Sequence, residues 1–343
     1  MSRIYRRVEK VMNIPPDKYK SLMAVTRKNE LIRIPNKVMR KQRWAKEQDE
    51  KLTPNSICIC CNYSYFYKDR GWSKNVKAIC HPYREYQQPV GDRKLHLFSE
   101  SDYCDTMWMD DISLLKERSI YKYDFFCYTI DSSQGVKCKG AHSLPLIVEV
   151  AKELGMTGLI LDYYPKQIPA CDSGQGMDIL VQEVRKGLKK ADNIKIHRGW
   201  VSQSVINQLM QDCKFVIFPN NKDASPRTIP ETLLRGKSIM VSQNVLGGWK
   251  YVNNVNGILY DGSFDMDELN SNKSHYREKI KEALIEMSKR KDKPIDIKNN
   301  FLSDYGFVNT AKRMASIINK IEGHKKYRYV AYTDFKKYLQ DIM

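Results

Sequence analysis

Asp223 and Glu231 stand in one polar loop, NNKDASPRTIPE, with seven residues between them, and Arg227 and Thr228 fall inside that interval. An arginine so placed suits a phosphate, which a guanidinium grips through two parallel N–H donors. Gly247 and Gly248 follow one strand later. There the backbone can approach a phosphate or a sugar at a distance any Cβ would spoil. Earlier in the chain Lys139-Gly140 opens a helix and supplies a further cation, with Lys137 a weaker substitute. Two of these residues have competing roles. Thr228-Ile-Pro-Glu231 fits a capping box, which would turn the Glu231 carboxylate back to the Thr228 N–H. Asp223 in NNKD also suits a turn.

The elements that position these residues alternate between strand and helix. The apolar run Phe215 to Phe218 ends at Pro219, and SIMV (238–241) follows Gly236; both read as buried strands of a parallel sheet. The capping box predicts a helix from Ile229 to about Arg235, whose N-terminal N–H groups would face a ligand at the carboxyl ends of the strands. Upstream, YDFFCYTI (123–130), GLILDYY (158–164) and IKIH (194–197) read as strands, and Leu144, Ile147, Val148, Ala151 and Leu154 recur at helical spacing. Helices are expected at about 175–190, over Val205 to Cys213, at about 273–290 and at 305–322. This alternation predicts a doubly wound α/β domain over 121–322. SICICC (56–61), VKAIC (76–80) and KLHLF (94–98) predict a smaller α/β domain over 51–120. Residues 1–50, broken by Pro15-Pro16 and Pro35, read as a basic helical extension.

The spacing of Asp223 and Glu231, the short strand after them, Gly247-Gly248 and Lys139-Gly140 together resemble the donor site of retaining GT-B glycosyltransferases of the glycogen-synthase-like group. The resemblance covers roughly residues 120–340. It implies two Rossmann-like domains, the first one shortened, and a C-terminal helix (323–343) that crosses back to the N-terminal domain. Asp223 would face the transferred sugar, Glu231 the nucleotide ribose, and Lys139 the donor diphosphate. Asp223 is one methylene shorter than the glutamate of that group, Ala224-Ser225-Pro226-Arg227 replaces its Gly-Phe-Gly, and its companion arginine is absent from TIDSSQGVKCKG. Arg227 is expected to replace that charge. Such transfer builds negative charge on the departing diphosphate, which is why fixed cations matter. His81, in AICHPY, is the acceptor-side candidate, with His96 behind it. No nucleophile is assigned.

Composition bounds the partners. The 343 residues carry a formal charge of +18, and the first fifty hold 14 Lys or Arg against 6 Asp or Glu. Clustered cations suit an anionic or lipid-linked acceptor, a carbohydrate bearing phosphate, or a membrane surface touched peripherally; nucleic acid is the less favoured partner. The other readings are a nucleic-acid- or membrane-binding protein on a degenerate scaffold, and an enzyme that glucosylates nucleic acid. No run approaches the ~18 apolar residues of a membrane span, and MSRIYRRVEKVMNIPP lacks a signal-peptide core, so a cytoplasmic protein is expected. Nine cysteines, an odd number, suit reduced thiols. No cofactor and no metal are expected: C-x-C-C at 58–61 lacks zinc spacing, and Asp265-Met-Asp267 sits where acidic helix caps are common.

Overall fold

The computed structural model describes strands at 21–25, 31–35, 56–59 and 76–81, then residues 86–87, 95–104, 112–128, 139–162, 183–199, 201–223 and 225–319. The chain divides into two compact units, residues 109–302 and residues 1–108 with 303–343.

Residues 109–302 are built on six strands: β6 (Tyr123–Tyr128), β7 (Gly158–Asp162), β8 (Ile194–Arg198), β9 (Cys213–Phe218), β10 (Ser238–Ser242) and β11 (Gly257–Tyr260). All pairings are parallel, and the order across the sheet is β11-β10-β9-β6-β7-β8. Counted from β6, this is the 3-2-1-4-5-6 order of a doubly wound Rossmann sheet. Strand side chains alternate between faces. Phe125, Cys127, Phe215, Ile217 and Met240 join one core with helix α1 (Leu144–Glu153) and helix α6 (Lys273–Lys289). Their register neighbours Phe126, Val216, Phe218, Ile239 and Val241 are equally buried and point the other way. Helices α3 (Gln203–Gln211) and α4 (Thr228–Leu234) pack on β9 and β10. A helix at 183–189 (α2) precedes β8, and α5 (Met266–Ser271) and α7 (Pro294–Asp304) complete the set among the described residues. Continuous burial of β7, β9 and β10 explains why their sequences read as unbroken apolar runs.

The other unit holds a five-stranded sheet of order β2-β1-β3-β4-β5. Its strands are β1 (Ser21–Val25), β2 (Leu31–Pro35), β3 (Ser56–Ile59), β4 (Val76–His81) and β5 (Leu95–Leu97). The β2-β1-β3 part is antiparallel and the β3-β4-β5 part parallel. The helical extension expected over 1–50 is corrected here: SLMAV and LIRIP are strands of this sheet. Each strand spans only five positions and neither SLMAV nor LIRIP shows the period-two alternation of a half-buried strand, so they do not stand out beside the flanking charges and prolines.

The return of the chain also comes earlier than expected. Helix α8 (Gly306–Asn319) already belongs to the first unit. The fully buried Asp102 carboxylate accepts from the Ser99 backbone N–H (3.1 Å), from Ser99 Oγ (3.0 Å) and from Arg313 Nη2 (3.1 Å). Thr310 Oγ1 donates to the Asp102 carbonyl at 2.9 Å, and the Arg313 guanidinium lies over the rings of Phe98 and Tyr305. A buried carboxylate without such partners would cost several kcal/mol, so these bonds fix α8 to this unit. The helix expected at 323–343 lies outside the described residues.

Candidate functional site

In an open parallel sheet the loops beyond the strands diverge where the order reverses, which leaves a crevice at the carboxyl ends. Here the reversal falls between β6 and β9, with Tyr128 and Phe218 stacked at the ends of the two strands, 6.1 Å between ring centroids. The residues singled out by spacing converge on this point. Lys139 and Gly140 follow β6; Asp223, Arg227, Thr228 and Glu231 follow β9.

Gly140 joins the two loops. Its φ is +69°, and a Cβ there would stand 1.6 Å from the Pro219 carbonyl oxygen. Both the left-handed backbone and the contact require glycine. Lys139, the next residue back, makes an ion pair with Asp223 Oδ2, although 84 residues separate them in sequence. That carboxylate is held from other sides as well. Asn220 Nδ2 donates to Oδ2 at 3.0 Å and the Ser225 N–H donates to Oδ1 at 3.3 Å. The Asp223 carbonyl accepts from the Gly247 N–H at 3.0 Å, which ties in the loop after β10. Lys222, just before Asp223, has φ +45°, a strained conformation for a residue with a side chain.

Arg227 and Glu231 form the second pair, Nε to Oε1 at 2.9 Å. The expected capping box is absent. Arg227 already has helical dihedrals as the N-cap of α4 and makes no side-chain cap bond. Thr228 therefore enters the first turn, where its carbonyl accepts from Thr232 Oγ1 at 2.7 Å, and Glu231 turns to Arg227. Burial pushes the Glu231 carboxyl above its ordinary value, while Arg227, Arg235 and a hydrogen bond from Gln203 pull it back. Arg235 is fully buried and donates to Asn207 Oδ1 (2.6 Å), Gln203 Oε1 (2.5 Å) and the Glu231 carbonyl (2.9 Å).

Gly248 serves close packing within the chain: a Cβ would meet Ile229 at 2.7 Å, Pro226 at 2.8 Å and Val245 at 2.9 Å. Asp265 accepts from the Glu268 N–H at 3.0 Å and caps α5. His81 ends β4 and His96 lies in β5; the side chain of His81, like all of Lys137 and Ala224, is outside the described residues.

Several residues here carry no spacing signal. Asn220 reads as turn material, and Arg235 reads as a basic residue near a helix C-terminus. Asn221, also fully buried, donates through Nδ2 to the Phe264 carbonyl, and His142 Nε2 lies 3.0 Å from Ser263 Oγ. These bonds join the loops after β6, β9 and β11 beneath the Lys139–Asp223 pair.

Fold and site together define a two-unit α/β protein, one unit a doubly wound Rossmann-like sheet with two ion pairs, Lys139–Asp223 and Arg227–Glu231, in the loops at its switch point. No protein-family profile matches the chain, and no curated protein matches it. Among solved structures it is similar to a glycosyltransferase from Rickettsia africae ESF-5, at 13% identity and TM-score 0.45 over 75% of this chain and 66% of that one. It is also similar to the pneumococcal O-GlcNAc transferase GtfA in complex with UDP and GlcNAc (11%, TM-score 0.45, 84% and 61%). A third is the catalytic domain of starch synthase IV from Arabidopsis thaliana bound to ADP and acarbose (12%, TM-score 0.42, 72% and 56%). The chain spans between 44% and 66% of the length of the first such structures.

Proposed function

We propose that this protein is a glycosyltransferase that moves a sugar from a nucleotide-diphosphate donor to an acceptor, with retention and without a metal. One observation carries the reading: two cations, Lys139 and Arg227, each 44% exposed, flank the switch point of a Rossmann-like sheet. Cations there are available to a diphosphate, whose charge grows as the glycosidic bond breaks. Lys139 and Arg227 take the phosphates, Asp223 faces the sugar, and Glu231 meets the ribose. The two protein cations supply the counter-charge that a metal would otherwise bring.

The acceptor is anionic in this reading. Residues 1–108 and 303–343 hold 30 Lys or Arg against 16 Asp or Glu, whereas residues 109–302 hold 28 against 24. The excess positive charge thus belongs to the unit that does not carry the donor loops, which suits a phosphorylated or lipid-linked acceptor, at a membrane surface or free.

A thermal-shift screen against UDP, GDP, ADP, CMP and their common sugars tests the proposal, with Arg227→Ala and Glu231→Ala alongside. A ligand at 100 times its Kd stabilises by roughly 2.7 kcal/mol, which is several degrees for a unit of this size. The expected result is a shift selective for one nucleotide and reduced in both variants. No shift with any nucleotide, in a protein that binds polyanions with steep salt dependence, would overturn it in favour of a non-catalytic nucleic-acid or membrane binder.

A further inference from the structure

Both cations of the donor loops are already paired, and the two partners in each pair differ in freedom. The Asp223 side chain is 12% exposed and that of Glu231 7%, against 44% for Lys139 and for Arg227. Asp223 is further held by Asn220 Nδ2 and the Ser225 N–H, so it stays in place when Lys139 leaves. Glu231 lies on α4 over the buried Arg235. The cations can therefore exchange partners, and the carboxylates cannot follow them.

This asymmetry has a consequence for selectivity. A phosphate that enters must draw a cation away from a carboxylate that remains beside it as a like charge. A monophosphate that captures Lys139 replaces one anion by another and leaves Asp223 largely buried without its cation, which is unfavourable. A diphosphate carries the charge to engage Lys139 and also Arg227, which stands four residues beyond Asp223 in the loop after β9.

We propose that Asp223 and Glu231 are resident counter-ions that set a charge threshold, so that the site accepts nucleoside diphosphates and turns away monophosphates, with Asp223 the specificity-determining residue at Lys139. This rests on the donor-site reading above. The role differs from facing the sugar, because it acts on nucleotides that carry no sugar at all.

The test is calorimetric titration of the full-length protein at low salt with UDP, GDP and ADP and with UMP, GMP and AMP. Wild type, Asp223→Asn, Lys139→Met and the double variant are compared. Removing the competitor is expected to tighten monophosphate binding by about three- to tenfold, the range of a partly exposed ion pair. Diphosphate binding tightens less, so the preference narrows. In the Lys139→Met background the same substitution gives no gain. Should Asp223→Asn melt differently from wild type, Asp223→Ser is read in its place. Unchanged or weaker monophosphate binding in the aspartate variant, with Lys139→Met still weakened for diphosphates, overturns the threshold and leaves the donor site standing. A gain that persists without Lys139 overturns it too, since it shows plain repulsion. If no nucleotide binds wild type, both proposals fall.

Discussion

The two edges of the six-stranded sheet carry similar charged residues and put them to different uses. At the carboxyl edge Lys139 and Arg227 are half exposed and face side-chain carboxylates. At the amino edge a cavity of about 550 Å³ is lined by Arg118, Lys214, Arg290 and Asp292 among others. There Lys214 donates to the Ser288 carbonyl, and Arg290 to the carbonyls of Asn254 and Val255 and to Asp292, while Arg118 at the rim pairs with the exposed Asp212, a carboxylate that can move with it. Beside it Lys237, almost fully buried, donates to the Cys213 carbonyl and lies 4.5 Å from the centre of the Tyr121 ring. A cation held by backbone carbonyls is part of the scaffold, because leaving would strand an acceptor. A cation held by an anchored carboxylate can be traded for a phosphate. Charge in a cavity therefore says less about ligands than what the charge is bonded to.

Four measurements test this contrast. The largest effect is expected for Gly140→Ala, which forces a Cβ into the Pro219 carbonyl and a side chain onto positive φ. Urea denaturation should show a loss of about 3 kcal/mol or more, together with loss of nucleotide binding. A loss below about 1 kcal/mol would mean that the loops after β6 and β9 do not meet as described. The second concerns Lys237, whose burial lowers its ammonium to about 8. Between that value and the ordinary lysine value the unfolded chain binds a proton the folded one has released, so stability rises with pH across this window and is flat below it. Wild type minus Lys237→Met should gain on the order of 2 kcal/mol from pH 8 to 10. The difference is the quantity to follow, because burial raises Tyr260 and opposes the trend at the alkaline end. Third, Arg290→Ala should cost about 1 kcal/mol and leave nucleotide affinity unchanged. If affinity falls, the amino-edge cavity is a binding site after all. The smallest effect is Arg227→Ala, expected to cost the unliganded protein about 1 kcal/mol or less, because the Arg235 charge and the Gln203 hydrogen bond still support the buried Glu231 carboxylate. A larger loss would place Arg227 with the scaffold cations.

Strand positions in the larger unit were legible because parallel strands buried on both faces make unbroken apolar runs. FVIF ends β9 at Phe218 as read, and SIMV begins β10 at Ser238. For the proposed site, spacing singles out Lys139, Asp223, Arg227 and Glu231, and the structure pairs Lys139 with Asp223 and Arg227 with Glu231. Which charge meets which was not legible: spacing places Glu231 equally well for a capping box, for Arg227 four residues back, or for a ligand. The backbone angles of Arg227 decide, and those depend on Pro226 and on the packing of Gly248 against it. Arg235 carries no sequence signal because LLRGKS ends like an ordinary helix, while its three acceptors come from α3 and from the Glu231 carbonyl. Unit boundaries were displaced for a similar reason. The bonds that assign α8 to the first unit join residues about two hundred positions apart, and no local pattern announces them.

Those bonds also fix an order of events during synthesis. Residues 109–302 form a continuous stretch, whereas the other unit needs Arg313 and Thr310 to satisfy Asp102. On the ribosome the six described strands of the inserted sheet are made before helix α8 of the other unit. The five-stranded sheet must wait for the Arg313 and Thr310 bonds to its buried aspartate, which is held by Ser99 until the chain beyond residue 313 has emerged. At ~5–20 residues per second, that interval lasts on the order of ten seconds or more, a span in which a nascent chain is open to chaperones and to misassembly.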